Sequence, residues 1–353
     1  MAGWGTWGHV FPIRSLLEFL NKSPDYEQKI DKIYWLWSKN SLEEQVATEM
    51  KKVTQNLEFI RIISGKYRRE TYRKSRLKNI SDIFLFLIWC FQSLYQLLLH
   101  RVDVVFCKWG YVALPVVIAA WILRRKIVVH ESDTHPGLVN RIASRCSKKV
   151  FTWFDWALPG GETIGQIISD DIVTDVTPQN TPTTQILIVG WSQGSQRLYQ
   201  HLINIFQYTP DLSSWYEFHI VLWLANQEMS TQFDRFSYVH TYGFISQKEM
   251  GELYNNCDIA ITRWGTTSLA EQKLYDMRQI IVPIPRTHDQ EDNAKRYVRY
   301  HNDIMLSQRD ADFEFQLTNA IKHFKGYKKI WQPKDKLAII AQAKKTIWEA
   351  IVG

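Results

Sequence analysis

Glycine is scarce in this chain. It supplies 16 of 353 residues, about 4.5% where roughly 7% is usual. Cysteine is scarcer still. The four residues Cys90, Cys107, Cys146 and Cys257 are far apart, and no pair has the spacing of a zinc site or a redox motif. They read as reduced, buried, cytosolic thiols. No secretory leader opens the chain. Long apolar runs are also missing, with one exception taken up below. Tryptophan, by contrast, is far too common, with 15 residues. The remaining composition, 45% apolar and 22% charged, is that of an ordinary soluble globular protein. A length of 353 residues exceeds what one core usually supports, so two domains are expected.

The formal charge is +7, but its placement argues against a nucleic-acid partner. The excess is concentrated between Lys66 and Lys78, where Lys66, Arg68, Arg69, Arg73, Lys74, Arg76 and Lys78 face a single acid, Glu70. This run leads into the one long apolar stretch, Ile83–Leu99, in which only Gln92, Ser93 and Gln96 are strongly polar. Three readings are open. The stretch is a buried core helix, a basic-then-apolar surface resting on an anionic membrane, or a span at the lower length limit for a bilayer. The strand-like Asp103–Phe106 follows at once and disfavours the span.

Apolar strand-like runs alternate with amphipathic segments along the whole chain. The strands expected are Lys32–Leu36, Glu58–Ile63, Val102–Phe106, Lys126–Val129, Lys149–Thr152, Gln185–Val189, Phe218–Leu224, Asp258–Thr262 and Gln279–Pro283. Helices are expected over Ser41–Gln55, Ala113–Leu123, Ser195–Gln207 and Lys334–Ile351. Such alternation predicts α/β architecture with parallel sheets. Val173–Thr184 lacks apolar periodicity and carries two prolines, so it reads as the linker. Two doubly wound, Rossmann-like domains facing a central cleft follow.

Five segments carry chemistry. Gly3–Pro12, GWGTWGHVFP, is a glycine-bearing turn ending in His9. Only Met1 and Ala2 precede it, so a first strand is expected to be missing and the start to be assigned too late. Lys108–Pro115 and His130–Arg141 each follow a strand, where an open parallel sheet places its ligands. Gln185–Ser195, QILIVGWSQGS, reads as an anion cradle of backbone N–H groups and a hydroxyl. Ile261–Glu271 and Pro283–Ala294 form the fifth, with Glu271 on a helix that begins near Thr266.

In this order the five segments resemble the MurG family, the UDP-N-acetylglucosamine transferases of peptidoglycan synthesis. The resemblance rests on Gly3–His9, Trp109–Pro115, His130–Asn140, Gly190–Ser195, Arg263–Glu271 and Gln290–Ala294, and covers nearly the whole chain. It implies the two-domain GT-B fold and inverting transfer of GlcNAc from UDP-GlcNAc to a muramoyl-pentapeptide on a polyprenyl diphosphate. It implies His9 as catalytic base, and Thr6, Gly8, Tyr111, Glu131 and Asn140 on the acceptor side. Ser192, Gln193 and Gly194 would hold the donor diphosphate and Ile245 the uracil. Arg263 would stabilise charge, Glu271 would hold the ribose, and Gln290 and Asn293 would complete the donor side. The divisions expected are 1–165 for the acceptor and membrane-side domain, 166–184 for the linker, 185–330 for the donor domain, and 331–353 for a helix packing back. No metal and no cofactor is expected; Asp310-Ala311-Asp312 lies outside every motif and reads as surface acid. The partners implied are UDP-GlcNAc, the polyprenyl-diphosphate acceptor and an anionic membrane surface at the cytoplasmic face, touched through Lys66–Lys78 and Ile83–Leu99.

The departures from the family are systematic. Trp4, Trp7, Trp109 and Trp191 stand where it has glycine, and Trp37 and Trp264 where it has small residues. Indole cannot follow a positive φ and would fill phosphate space. Gly5, Gly8, Gly110, Gly194 and Gly265 beside them are spared. The pattern fits a source that reads UGA as glycine, and eight such exchanges would bring glycine to 24, about the usual share. Trp121 and Trp348 read as true packing residues, and Trp223 belongs to a group left unassigned. Gly165-Gln166-Ile167-Ile168-Ser169 lacks the family's arginine at the domain junction, and Asp133 replaces an asparagine. These changes leave a related transferase with another lipid-linked acceptor open. Genuine tryptophans would instead make the chain a catalytically dead nucleotide-sugar binder.

Overall fold

In the computed structural model, residues 1, 7–23, 25–38, 46, 48, 50, 51, 54, 56–62, 73–108, 113–190, 195–285, 288–330 and 334–353 are described. They form two compact units, Met1–Ser169 with Ala338–Gly353, and Asp170–Leu337.

The first unit is wholly parallel in its strand pairing. Strand β1 (Ile33–Ser38) pairs with β2 (Leu57–Ile62), and β3 (Val104–Cys107), β4 (Lys126–Glu131), β5 (Lys149–Thr152) and β6 (Glu162–Thr163) follow in sequence order. Helix α1 (Trp7–Asn21) precedes β1; α2 (Arg73–Leu99) and α3 (Ala113–Ile122) flank β3, and α4 (Leu138–Cys146) follows β4. Side chains alternate between sheet faces with period two, and the packing obeys this. Val105, Cys107, Ile127 and Val129 pack with Trp89 and Leu97 of α2 and the apolar face of α3. Phe106, Val128 and Phe151 pack on the opposite face with Val10, Ile13, Leu16 and Leu17 of α1. Helices therefore cover both faces, which is why these strands read as unbroken apolar runs. The final helix, α10 once the second unit's helices are counted (Lys336–Val352), packs Ile347 and Trp348 into the α1 side.

The second unit carries a six-stranded parallel sheet. Its strands are β7 (Thr184–Val189), β8 (Tyr216–Val221), β9 (Val239–Tyr242), β10 (Ile259–Thr262), β11 (Arg278–Ile281) and β12 (Ile304–Met305), in the spatial order β12-β11-β10-β7-β8-β9. Renumbered from its own first strand, this is 3-2-1-4-5-6, the doubly wound dinucleotide-binding order. The order reverses between β7 and β10, whose residues pair from Ile186–Ile259 to Val189–Thr262. Helices α5 (Gln196–Tyr208), α6 (Gln247–Asn256), α7 (Thr266–Leu274), α8 (His288–His301) and α9 (Phe313–His323) connect and cover the strands. Helix α6 begins with a complete capping box, Ser246 and Glu249 each bonding the other's backbone N–H, which satisfies two otherwise orphan donors.

All nine strands expected from the sequence are present within a few residues. Three short ones, β6, β9 and β12, were not expected. Helix α2 settles the apolar stretch differently from any single reading. Trp89, Ser93 and Leu97 are buried, while Leu87, Ile88, Phe91, Tyr95, Leu98 and Leu99 are exposed, Phe91 by 71%. Among the described residues no helix is long and apolar enough to cross a membrane. Trp121 is corrected: it is a surface residue, 59% exposed, because its helix turns that face outward, whereas Trp348 packs its ring 6.4 Å from Tyr26. Two of the thiols, Cys90 and Cys146, are only half-buried.

Candidate functional site

At the switch point between β7 and β10 lie Gly190 and Arg263, each at the end of a segment that the sequence reading assigned to the donor. After β7, Gly190 is required by close approach: a Cβ there would lie 2.5 Å from Ser195 Oγ and 3.0 Å from the Tyr199 hydroxyl. The strand end thus abuts the first turn of α5, the arrangement that turns helix N–H groups toward an anion. Ser192, Gln193 and Gly194, with Trp191, lie outside the described residues. After β10, Arg263 is almost fully buried and its Nη1 donates to the carbonyls of Val282 and Pro283 at 3.0 and 3.4 Å. Burial pulls its guanidinium down to about 10, so it stays charged at neutral pH. It ties the carboxyl end of β10 to that of β11.

Glu271, on α7, is buried and accepts a hydrogen bond from the Tyr254 hydroxyl at 3.2 Å. Burial pushes its carboxyl up to about 8, with the Tyr254 hydrogen bond offsetting only part of the cost of a charge held out of water. Gln290 Oε1 accepts from Ile284 N at 3.1 Å, pinning the start of α8 to the end of β11, and Asn293 one turn on is buried. Ile245 is half-buried after β9, directly before the capping box of α6. Arg263, Glu271, Gln290 and Asn293 thus lie on segments that follow β10 and β11, on the side where a doubly wound sheet binds its ligand. Asp310 and Asp312 sit elsewhere, at the start of α9, accepting from Gln316.

In the first unit, Gly8 and His9 lie in the first turn of α1; the His9 side chain, Thr6 and Tyr111 are outside the described part. Met1 lies beside β1, its carbonyl accepting from Leu36 N at 3.1 Å. The segment after β4 is closed upon itself. Glu131, with no exposed surface, accepts through Oε1 from the N–H groups of Ser132 and Asp133 at 2.7 and 2.9 Å. Its Oε2 accepts from Asn140 Nδ2 at 3.0 Å. Glu131 and Asn140, two of the five acceptor-side residues of the sequence reading, are therefore brought together, and their bonds shape the loop. Burial and the nearby Asp133 carboxylate push the Glu131 carboxyl upward.

Beneath this loop sits a cluster to which the sequence reading gave no role. Lys108, at the end of β3 and 1% exposed, places Nζ 2.7 Å from His130 Nδ1, 3.0 Å from Gln166 Oε1 and in contact with Ser132 Oγ. His130 Nε2 is 2.9 Å from the Gly165 carbonyl. The signal was a lysine closing the apolar strand VVFCK. Tyr254, likewise unforeseen, had no signal beyond a tyrosine in an amphipathic helix.

Trp223 has a second kind of significance. It follows β8 with φ 54° and ψ 168°, a region essentially reserved for glycine. Arg101, Arg124, Asp276 and Asn302 also have positive φ, but each closes a helix, where a left-handed residue is routine. Trp223 closes none. Trp264, by contrast, is buried edge-on against Tyr297 at 5.6 Å and is not among the positive-φ residues.

Two parallel, Rossmann-like units make up the GT-B architecture of glycosyltransferases. The chain belongs to glycosyltransferase family 28: the model of that family's N-terminal domain matches residues 1–152 and that of its C-terminal domain residues 185–349. Its relatives include the UDP-N-acetylglucosamine--N-acetylmuramyl-(pentapeptide) pyrophosphoryl-undecaprenol N-acetylglucosamine transferase of Alkalilimnicola ehrlichii, 29% identical over 321 residues, covering 88% of this chain and 85% of that one. Bacillus cereus has a second form of that transferase, 26% identical, covering 91% and 89% respectively. The crystal structure of MurG from Acinetobacter baumannii superposes with a TM-score of 0.70 at 21% identity, covering 99% of this chain and 98% of that one.

Proposed function

We propose that this chain transfers N-acetylglucosamine from UDP-N-acetylglucosamine to the muramoyl-pentapeptide diphospho-polyprenol, with inversion and without a metal. The observation that supports this most directly is the coincidence of both family 28 domains with relatives of that activity over nearly the full chain. In the reaction the acceptor oxygen attacks the sugar C1 while the bond to UDP breaks and UDP takes the electron pair. His9 takes the acceptor proton. Leaving-group charge is met by the N–H-rich turn at Gly190–Ser195 and by Arg263. Glu271 holds the ribose, Ile245 the uracil, and Gln290 and Asn293 the sugar side. Ser192, Gln193 and Gly194 hold the diphosphate, and Thr6, Gly8, Tyr111, Glu131 and Asn140 form the acceptor side. The exposed apolar face of α2 and its basic approach rest on the anionic cytoplasmic face of the membrane that carries the acceptor.

The backbone at Trp223 weighs against a dead nucleotide-sugar binder. A tryptophan in glycine geometry fits the reading in which glycines have been read as tryptophan. The test is transfer of labelled GlcNAc to a short-chain lipid-linked acceptor, by protein carrying Gly at positions 4, 7, 109 and 191. Turnover that vanishes in His9→Ala supports the proposal. No transfer by the glycine form, despite UDP-GlcNAc binding in calorimetry, would overturn it.

A further inference from the structure

Lys108 is a cation held almost wholly out of water, and its three protons can all be traced. An ammonium has three donors and no acceptor. Its neighbours His130 Nδ1, Ser132 Oγ and Gln166 Oε1 are three acceptors, so its donor capacity is filled. The remaining protons then have one consistent assignment. The Ser132 hydroxyl, 3.0 Å from Gln166 Oε1, donates to it, and the same oxygen accepts from Ile167 N at 3.2 Å. His130 accepts at Nδ1, so its proton is on Nε2, which donates to the Gly165 carbonyl. Both ring nitrogens are committed. His130 is therefore no proton shuttle, although it stands at the ligand end of a parallel strand. Burial and the Lys108 charge also hold the imidazole well below its usual range.

The cluster joins three separate pieces of chain: the end of β3, the turn 130–133 after β4, and the crossing segment 165–167. Glu131 stiffens the same turn from the other side through Ser132 N, Asp133 N and Asn140. Burial pulls the Lys108 ammonium down to about 7, while the titratable groups around it, Glu131, Asp133 and Cys107, favour its charged form. Desolvating a lysine is costly unless the charge is fully used, and here it serves to hold a loop rather than to meet solvent.

We propose that Lys108 is a positioning residue for the acceptor half of the site, its ammonium fixing the turn 130–133 and the tautomer of His130 for transfer. This rests on the transferase reading above, in which Glu131 and Asn140 are acceptor-side. Lys108→Met keeps the stem and removes the three donors. In the full chain carrying Gly at positions 4, 7, 109 and 191, the KM for a short-chain lipid-linked acceptor rises about tenfold, the effect expected on losing charge-assisted hydrogen bonds, and the KM for UDP-GlcNAc is unchanged. Two-bond ¹H–¹⁵N spectra of the unmodified protein show His130 as the Nε2–H tautomer, still uncharged where a free histidine has become charged. In Lys108→Met the same signal titrates.

An unchanged acceptor KM in Lys108→Met overturns the proposal, as does a His130 signal in the Nδ1–H form. Equal losses in both KM values and kcat with a lowered Tm reduce Lys108 to a stability element and overturn it too. If Lys108→Met does not accumulate as folded protein, Ser132→Ala removes one of the three acceptors. It should raise the acceptor KM about threefold, the value of one modest hydrogen bond; a flat acceptor KM there also overturns the proposal. Absence of any transfer by that glycine form with Lys108 intact instead removes the transferase reading, and the His130 spectra still decide whether Lys108 fixes the ring.

Discussion

Trp223 shows most sharply what a single residue can report. Its φ of 54° and ψ of 168° cost a side-chain-bearing residue about 1–3 kcal/mol. The indole recovers part of this by an edge contact to Phe244 at 6.0 Å, worth about 0.5–1.5 kcal/mol. Trp223→Gly is therefore expected to raise stability by about 1 kcal/mol on balance, measured as a higher urea midpoint. A lower midpoint would show that the conformation is not strained, and a UGG codon at 223 would count against recoding there. The sequence made the tryptophan excess visible but could not sort this residue. Backbone dihedrals are set by the turn as a whole, and only the positions inside a recognised motif carried a glycine expectation. Glu271 offers a different residue-scale test. Its carboxyl, raised to about 8, contributes stability that is complete below the ordinary carboxylate range and is lost as pH climbs through 8. Glutamine mimics the neutral form. Glu271→Gln should match the parent near about pH 5 and exceed it in Tm near about pH 8.5, while binding UDP-GlcNAc more weakly. Parallel pH–Tm curves for the two proteins would refute the burial argument.

At the scale of elements, the interior strands were legible because both faces are covered, so they read as continuous apolar runs. The strands that escaped notice lie at sheet edges. Strand β9, VHTY, is mostly half-exposed; β6 is two exposed residues, and β12 two half-buried ones. An edge strand has polar sides and little length, and nothing local separates it from a loop. Helix α6 conceals another requirement. A Cβ on Gly251 would lie 2.0 Å from the Ile172 carbonyl oxygen, which already accepts from the Tyr275 hydroxyl at 2.8 Å. The helix therefore presses against the 3₁₀ turn Asp170–Ile172 with no room for a methyl group. Gly251→Ala would gain helix propensity in isolation, yet it should destabilise the protein by about 1–3 kcal/mol through overpacking. Chemical denaturation checks this; a neutral or stabilising alanine would mean that α6 can shift away from the turn. From sequence Gly251 is a poor helix residue and no more, because its partner is 79 positions away.

On the scale of the whole molecule, one surface organises what the site cannot. The stripe Leu87, Phe91, Tyr95 and Leu98 follows helical spacing along the outer face of α2, and Trp121 and Ile122 are exposed at the end of the neighbouring α3. Exposed apolar side chains in such density are unusual for a surface that meets only water. The basic residues Lys66–Lys78 lead into that helix in sequence, and the net charge is +7. Basic approach and apolar face together are what an interfacial surface on anionic lipid requires, with electrostatics supplying long range and apolar burial supplying adhesion. Phe91→Glu with Trp121→Glu should abolish most sedimentation with phosphatidylglycerol vesicles. Each aromatic buried at the interface is worth about 1.5–3 kcal/mol, so losing two lowers partitioning by a hundredfold or more, about 3 kcal/mol at least. Binding should weaken with salt and on neutral phosphatidylcholine, because the attraction of the basic run is screened or absent. UDP-GlcNAc affinity should be untouched, since the residues proposed to hold it belong to the other unit. A double variant that still sediments in full would assign the stripe to another partner, and an unmodified protein that ignores anionic vesicles would remove the membrane from the reading altogether.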